Sequence, residues 1–244
     1  MFKTVVFFVV IWFSLLLLMP LGVAALPFIA LGLRAQTQAV LHFIGRWWAR
    51  AVIAGIGVKV IVVGQDRIPR QGGLCFVGNH PGDFDTILAL AYIGRPFGFT
   101  AKKEVLYYPF MNLFVWLLGG LFIDRGNPRS ALKSLKKGAQ RIQAGFSMII
   151  FPEGTRNRGG PMLPFKSGAL KLATFAGAPI VPVSIAGSHC VWEERHRIRA
   201  ASIVLTFGHP IPTVGLSGDQ KRLLADQVLA AIQEHAAIQE PAGA

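Results

Sequence analysis

The chain has 244 residues, which suits one domain plus an appendage and is ample to bury a core. It is 52% hydrophobic and only 15% charged, with a mean hydropathy of +0.49, which sets it apart from ordinary soluble proteins. Lys and Arg number 25 against 12 Asp and Glu, a formal charge of +13, so its partners are expected to be anionic: phospholipid headgroups, phosphorylated substrates or nucleic acid. The hydrophobicity favours lipid, and no nucleic-acid-binding motif accompanies the basic charge. Cys75 and Cys190 are the only cysteines, which argues against a disulfide framework or a cysteine metal site and is consistent with a reducing compartment.

In chain order, Thr4 to Leu33 contains no charged residue, and Lys3 and Arg34 bracket the run. That exceeds the roughly 20 residues one membrane span requires. Pro20 and Pro27 are expected to kink or divide it, giving either one span or a helix pair that dips into one leaflet and returns. Val23-Ala24-Ala25 resembles a signal-peptide cleavage site, but the apolar run continues beyond it, which weakens that reading. Arg34, Arg46 and Arg50 follow, with Trp47-Trp48 among them and no acidic residue before Asp66. This pattern fits a helix at headgroup level on the cytoplasmic face; a helix packed on the globular domain is the competing reading. Residues 1–57 are therefore read as a membrane-anchoring helical segment, 58–237 as one catalytic domain and 238–244 as a frayed tail.

Strands are predicted at 58–63, 74–78, 97–101, 121–123, 146–151, 180–185 and 203–207, most of them separated by helical stretches. The pattern is that of an α/β domain with a mostly parallel sheet flanked by helices. One helix is marked by Asn127 as N-cap, Pro128 at its first position, Leu132, Leu135, Ala139 and Ile142 on one face, and Gly145 beyond its end. Its other face, with Arg129, Lys133, Lys136, Lys137 and Arg141, is either solvated or in contact with anionic lipid. A last helix opens at Ser217, with Gln220 completing a capping box.

Asn79-His80-Pro81-Gly82-Asp83-Phe84-Asp85 lies between the 74–78 strand and a helical run, at the kind of turn where open α/β sheets bind ligands. A histidine can accept a hydroxyl proton at neutral pH if a carboxylate fixes its tautomer, which makes His80 the candidate base and Asp85 the candidate for that supporting role. Five residues apart is a poor spacing on one straight helix, so the pairing requires the turn to fold back. In the plainer alternative, Asp83 or Asp85 caps the helix and His80 is a loop residue. Two more clusters end strands: Gly119-Gly120-Leu121-Phe122-Ile123-Asp124-Arg125 and Phe151-Pro152-Glu153-Gly154-Thr155-Arg156. Two guanidinium groups on one sheet edge make a phosphate site, to which Lys102, Lys103 and Lys166 add charge. Each arginine is alternatively an ion-pair partner of Asp124 or Glu153.

The His-x4-Asp block, the Gly-x-x-Phe-Ile-Asp-Arg block, the Phe-Pro-Glu-Gly-Thr-Arg block and Val181-Pro182-Val183-Ser184-Ile185 follow the order and spacing of the four glycerolipid acyltransferase motifs. The chain resembles the 1-acyl-glycerol-3-phosphate (lysophosphatidic acid) acyltransferases over about residues 58–207. The resemblance implies acyl transfer from a coenzyme A or acyl-carrier-protein thioester to a lysophospholipid hydroxyl. It also implies a His80–Asp85 catalytic dyad, an acceptor site shaped by Arg125, Glu153, Gly154 and Arg156, and an acyl site that includes Pro182; Lys102 and Thr155 join the expected substrate-binding set. Pro81-Gly82 stands where the family often has Gln-Ser, and Asn157 where it often has Ser. These departures leave room for a different lysophospholipid, or a lyso-aminolipid, as acceptor.

Direct attack on the thioester is expected, because no Gly-x-Ser-x-Gly elbow supplies a serine nucleophile. Backbone amides near the turn are the expected oxyanion donors. No cofactor or metal is expected, as none of the six histidines shows a zinc-like pairing. The expected location is the cytoplasmic face of the inner membrane, and the contrasting readings are a hydrolase and a lipid-binding protein that lost turnover.

Overall fold

The computed structural model describes residues 2–237; the predicted frayed tail at 238–244 lies outside them. The elements in chain order are α1 (Phe2–Ala30), α2 (Arg34–Ile56), β1 (Lys59–Val63), β2 (Cys75–Gly78), α3 (Asp85–Tyr92), β3 (Phe97–Lys102), α4 (Met111–Leu117), β4 (Leu121–Ile123), α5 (Pro128–Gln143), β5 (Ser147–Ile150), α6 (Lys171–Ala176), β6 (Ile180–Ala186), β7 (Ser202–Phe207) and α7 (Gly218–Ala237). All seven strands form one sheet in the order β1-β7-β6-β2-β5-β3-β4. Every neighbouring pair is parallel except β6 with β7. An antiparallel return needs only a loop and no crossover helix. The segment joining β6 to β7 therefore stays at the edge where β6 ends, which is the edge the candidate site occupies.

Each sheet face has its own core. On one side Phe76, Phe97 and Phe207, fully buried, form an edge-to-face aromatic row, with Phe76 at 6.5 Å from each of the other two. That row is covered by Leu88, Ala89 and Ala91 of α3 and by Ala49 and Ile53 of α2. On the other side, Cys75, Val77, Met148, Ile150 and Ile180 meet Leu135 and Ile142 of α5, Leu172 of α6, and Leu224, Val228 and Ile232 of α7. The predicted caps form: the Asn127 side chain accepts from Ser130 N–H at 3.1 Å. At the head of α7, Ser217 and Gln220 exchange bonds of 2.8 and 3.2 Å. Gly145 follows α5 with φ +91°, a left-handed conformation glycine adopts without strain.

The first of the amino-terminal helices departs from expectation at its two prolines. α1 runs unbroken through Pro20 and Pro27, as apolar helices with packed neighbours allow, so the apolar run is one helix and not a pair, and the chain first reverses at Leu31-Gly32-Leu33 before α2. α2 buries Gln38, Leu41, His42, Ala49 and Ile53 against the globular body, while Val40, Phe43 and Trp47 stay exposed. The reading of a helix packed on the globular domain thus holds for one face of α2, and the other face is left open. α1 follows the same flank. Thr4 Oγ1 accepts Ile198 N–H at 3.1 Å, the Phe8 ring meets Trp192 at 5.2 Å, Trp48 Nε1 donates to Ser14 Oγ at 3.0 Å, and Gly22 lies against Leu117.

Candidate active site

Four strand ends build one edge of the sheet. β2 delivers Asn79 and His80, β5 delivers Phe151 to Arg156, β6 delivers Ser188 after the turn at Gly187, and β4 delivers Asp124 and Arg125. The β2 end is locked first. The Asn79 side chain donates to Ile185 C=O at 2.9 Å and accepts Ile185 N–H at 2.8 Å, continuing the β2–β6 pairing beyond its last backbone rung. The chain then turns so that Gly82 N–H reaches the Asp85 carboxylate at 2.9 Å and Asp85 N–H bonds Gly82 C=O at 3.3 Å. This fold-back brings residues five apart into contact: His80 Nδ1 lies 2.6 Å from Asp85 Oδ2.

Asp85 is completely buried, and its carboxylate takes three hydrogen bonds, from Gly82 N–H, the Ser188 hydroxyl and the His80 ring. A carboxylate so placed fixes the proton on His80 Nδ1 and leaves the Nε2 lone pair free to accept one. The imidazole lies flat on the Phe151 ring, 4.4 Å between centroids and 17° between planes, which sets its remaining rotation. With 19% of its side chain exposed, the ring is accessible from the sheet edge.

The turn amides have other engagements than the oxyanion role expected of them. His80 N–H donates to Glu153 Oε1 at 2.6 Å, Gly82 N–H to Asp85, and Asp83 N–H to Glu193 Oε1 at 2.6 Å. Each of these amides is thus taken by a carboxylate. Glu153, 2% exposed, also receives Leu163 N–H at 3.0 Å and the Asn157 amide at 3.2 Å. It holds the β5 loop to the β2 turn and is not an ion-pair partner of either arginine.

The expected phosphate-binding side chains divide. Arg125 is exposed and donates to Gly154 C=O. Gly154 has φ +75°, a backbone conformation that favours glycine, and Lys166 Nζ packs against it, where a Cβ would lie 2.7 Å away and shift the lysine end. Thr155 is exposed beside it. Arg156 pairs with Asp83 and lies 3.7 Å from Glu193. Asp124 belongs to Lys103, at 2.9 Å, and Lys102 to Glu104, at 3.2 Å. Pro182 is not brought to the dyad: it is buried inside β6, in register with Val77, and accepts Gly208 N–H at 2.8 Å.

Sequence reading missed Ser188 and Glu193. A polar residue just past the end of an interior strand, as in Ala186-Gly187-Ser188, was the available signal for the first. Nothing local marks the second, whose 4%-exposed side chain is accommodated by Gly82: a Cβ at 82 would fall 2.8 Å from Glu193 Oε2. Burial pushes the Glu193 carboxyl above the usual range. Gly82→Ala is expected to push this carboxylate off Asp83 N–H and cost about 1–3 kcal/mol. Adding Glu193→Ala should recover part of that loss, so the two changes should be non-additive in thermal melts. Strict additivity would show that the contact does not constrain the turn.

A family model described as Acyltransferase matches residues 59–186. The 1-acyl-sn-glycerol-3-phosphate acyltransferase of Borreliella burgdorferi is 32% identical over 71% of this chain and 71% of its own length. The enzyme of that name from Haemophilus influenzae is 31% identical over 79% and 80%, and the human alpha form is 33% identical over 70% and 62%. In structure, the crystal structure of the 1-acyl-sn-glycerophosphate (LPA) acyltransferase PlsC from Thermotoga maritima has the same fold. It superposes with a TM-score of 0.72 at 23% identity, covering 92% of this chain and 97% of that one. With the matched segment spanning β1 to β6 and so the whole His80-to-Ser188 edge but its last turn, the chain belongs to the acyltransferase family and is an acyltransferase enzyme.

Proposed function

We propose that this enzyme transfers a fatty acyl group from an acyl-CoA or acyl-carrier-protein thioester to the free hydroxyl of 1-acyl-glycerol-3-phosphate, giving phosphatidic acid. The observation that carries the mechanism is the 2.6 Å His80–Asp85 contact on a fully buried carboxylate. His80 Nε2 takes the acceptor hydroxyl proton as the oxygen attacks the thioester carbonyl. The tetrahedral intermediate expels the thiolate, and the imidazolium returns the proton to that sulfur. Asp85 steadies the imidazolium between the two steps. With the His80, Gly82 and Asp83 amides engaged elsewhere, the developing oxyanion falls to a cationic side chain of the edge, Lys166 beside Gly154 foremost.

The acceptor assignment rests on the names of the relatives and on the basic edge. Release of free coenzyme A, measured with and without 1-acyl-glycerol-3-phosphate, tests it. Acceptor-dependent release supports transfer, acceptor-independent release indicates a hydrolase, and no release indicates a binding protein. Phosphate-free lysolipids in the same assay separate the lyso-aminolipid alternative.

Membrane attachment is part of the proposal. α1 is the one helix among the described residues long and apolar enough to cross a membrane. Its contacts from Thr4 to Ala25 with the body favour a helix laid in one leaflet beside the domain, with the exposed Val40, Phe43 and Trp47 of α2 at the same surface. Cutting off residues 1–50 would strip Ala49 from the core, so surface substitution is the cleaner test. Val9, Phe13 and Leu17 are 61%, 58% and 64% exposed along one stripe of α1. Lipid burial of such side chains is worth about 1.5–3 kcal/mol each. Changing all three to Glu should therefore reduce vesicle binding at least tenfold while the fold persists, and unchanged pelleting in high salt would place the attachment elsewhere. Lys3, Arg34, Arg46 and Arg50 argue for the cytoplasmic side of the inner membrane, where the thioester donors are made. Digestion of the domain by external protease in sealed cells would refute that side.

A further inference from the structure

The loop that joins β6 to β7 carries a second group of chemistry-bearing side chains, outside the acyl-transfer site. His189, Cys190 and Glu194 each present one donor atom, and these three atoms lie within 4.8 Å of one another. His189 Nε2 and Cys190 Sγ are 3.4 Å apart. Tetrahedral zinc has Zn–S of about 2.3 Å and Zn–N of about 2.0–2.1 Å, which places N and S about 3.5 Å apart around one ion. The short 3-10 turn Ser188–Val191 is what lets adjacent residues face each other in this way.

The surroundings hold the donors in place. Gly159, with φ +84°, lets the neighbouring loop close over the imidazole, since a Cβ there would fall 2.3 Å from His189 Cδ2. Arg199 donates through Nε to Cys190 C=O at 2.8 Å and through Nη2 to Glu194 Oε2. That bond orients the carboxylate from outside, as hydrogen bonds to ligating carboxylates do, and Oε1 pairs at 3.5 Å with the exposed Arg195, which an ion at Oε1 displaces. The two arginines lower the affinity for any cation, and the thiolate and carboxylate offset them. His189 and Cys190 are half-buried and Glu194 is exposed, so a water can fill the fourth position.

We propose that His189, Cys190 and Glu194 form a site for one borderline-soft divalent cation, zinc being the best match to the nitrogen, sulfur and oxygen donor set. The site is structural and not catalytic. It pins a loop whose Ser188 hydroxyl donates to Asp85 and whose Glu193 receives Asp83 N–H, both on the dyad turn. This goes beyond acyl transfer and stands or falls separately from it.

The test titrates metal-stripped, full-length protein with zinc against a chromophoric chelator, and separately with cobalt. One equivalent of zinc should bind, and hydrogen exchange across residues 187–199 should slow when it does. Cobalt should give a thiolate charge-transfer band. Cys190→Ser should abolish that band, and both Cys190→Ser and Glu194→Gln should weaken zinc at least tenfold. Glu194 is exposed, so its change should leave the fold intact, as melting temperatures of the metal-free variants would check. Absence of stoichiometric binding, or binding that survives both substitutions unweakened, would overturn the proposal.

Discussion

His80→Ala is expected to abolish acceptor-dependent acyl transfer while the protein still folds and binds lipid. General-base catalysis contributes about 10²- to 10⁴-fold, and here no second base stands ready, because Asp85 is buried and fully engaged. The ring also stacks on Phe151, so a modest fall in melting temperature should accompany the loss. Asp85→Asn should behave differently. Its amide would present N–H to one of three donors now directed at a carboxylate, leaving an unpaired polar pair inside the core. Lower stability should therefore accompany lost activity, and the two variants are to be compared by turnover and melting on the same preparations. Near-normal turnover by His80→Ala would end the general-base mechanism.

How much of this was readable beforehand depends on how local each determinant is. All seven strands, the Asn127 cap and the Ser217–Gln220 capping box rest on patterns within a few residues, and each appears within about two residues of its expected bounds. The short helices α4 and α6 were not anticipated: at 7 and 6 residues they are too brief for helical periodicity to show. The antiparallel β7 was hidden too, since strand direction is set by the 187–201 connection and not by the strand's own residues.

At the site, the same rule separates His80 and Asp85 from their supports. The pair lies within one turn and could be proposed from its spacing, whereas Ser188 and Glu193 reach it from 103 and 110 residues away. The charge pattern likewise overstated the free cations. Asp83 and Glu193 lie against Arg156, a pairing that only the fold creates, and the amides expected to face an oxyanion are held by carboxylates from β5, α3 and the β6–β7 loop.

That pairing changes what is expected of the two arginines. A charge-assisted hydrogen bond to a phosphate is worth about 1.5–3 kcal/mol, so loss of one contributing guanidinium should weaken the acceptor about ten- to a hundredfold at an unchanged thioester KM. Arg125, exposed and held only by the Gly154 carbonyl among the described residues, should show that full effect in Arg125→Ala with little change in melting temperature. Lys at 125 should rescue it in part, lacking the planar fork. Arg156 must leave Asp83 and Glu193 to reach a phosphate, so its net gain on binding is smaller. Its removal also leaves the buried Glu193 carboxylate without a nearby cation. Arg156→Ala should therefore lower the melting temperature more, and acceptor affinity less, than Arg125→Ala. An Arg125→Ala enzyme that melts early yet binds acceptor normally would move that arginine from the site to the scaffold, and would point to an acceptor without a phosphate monoester.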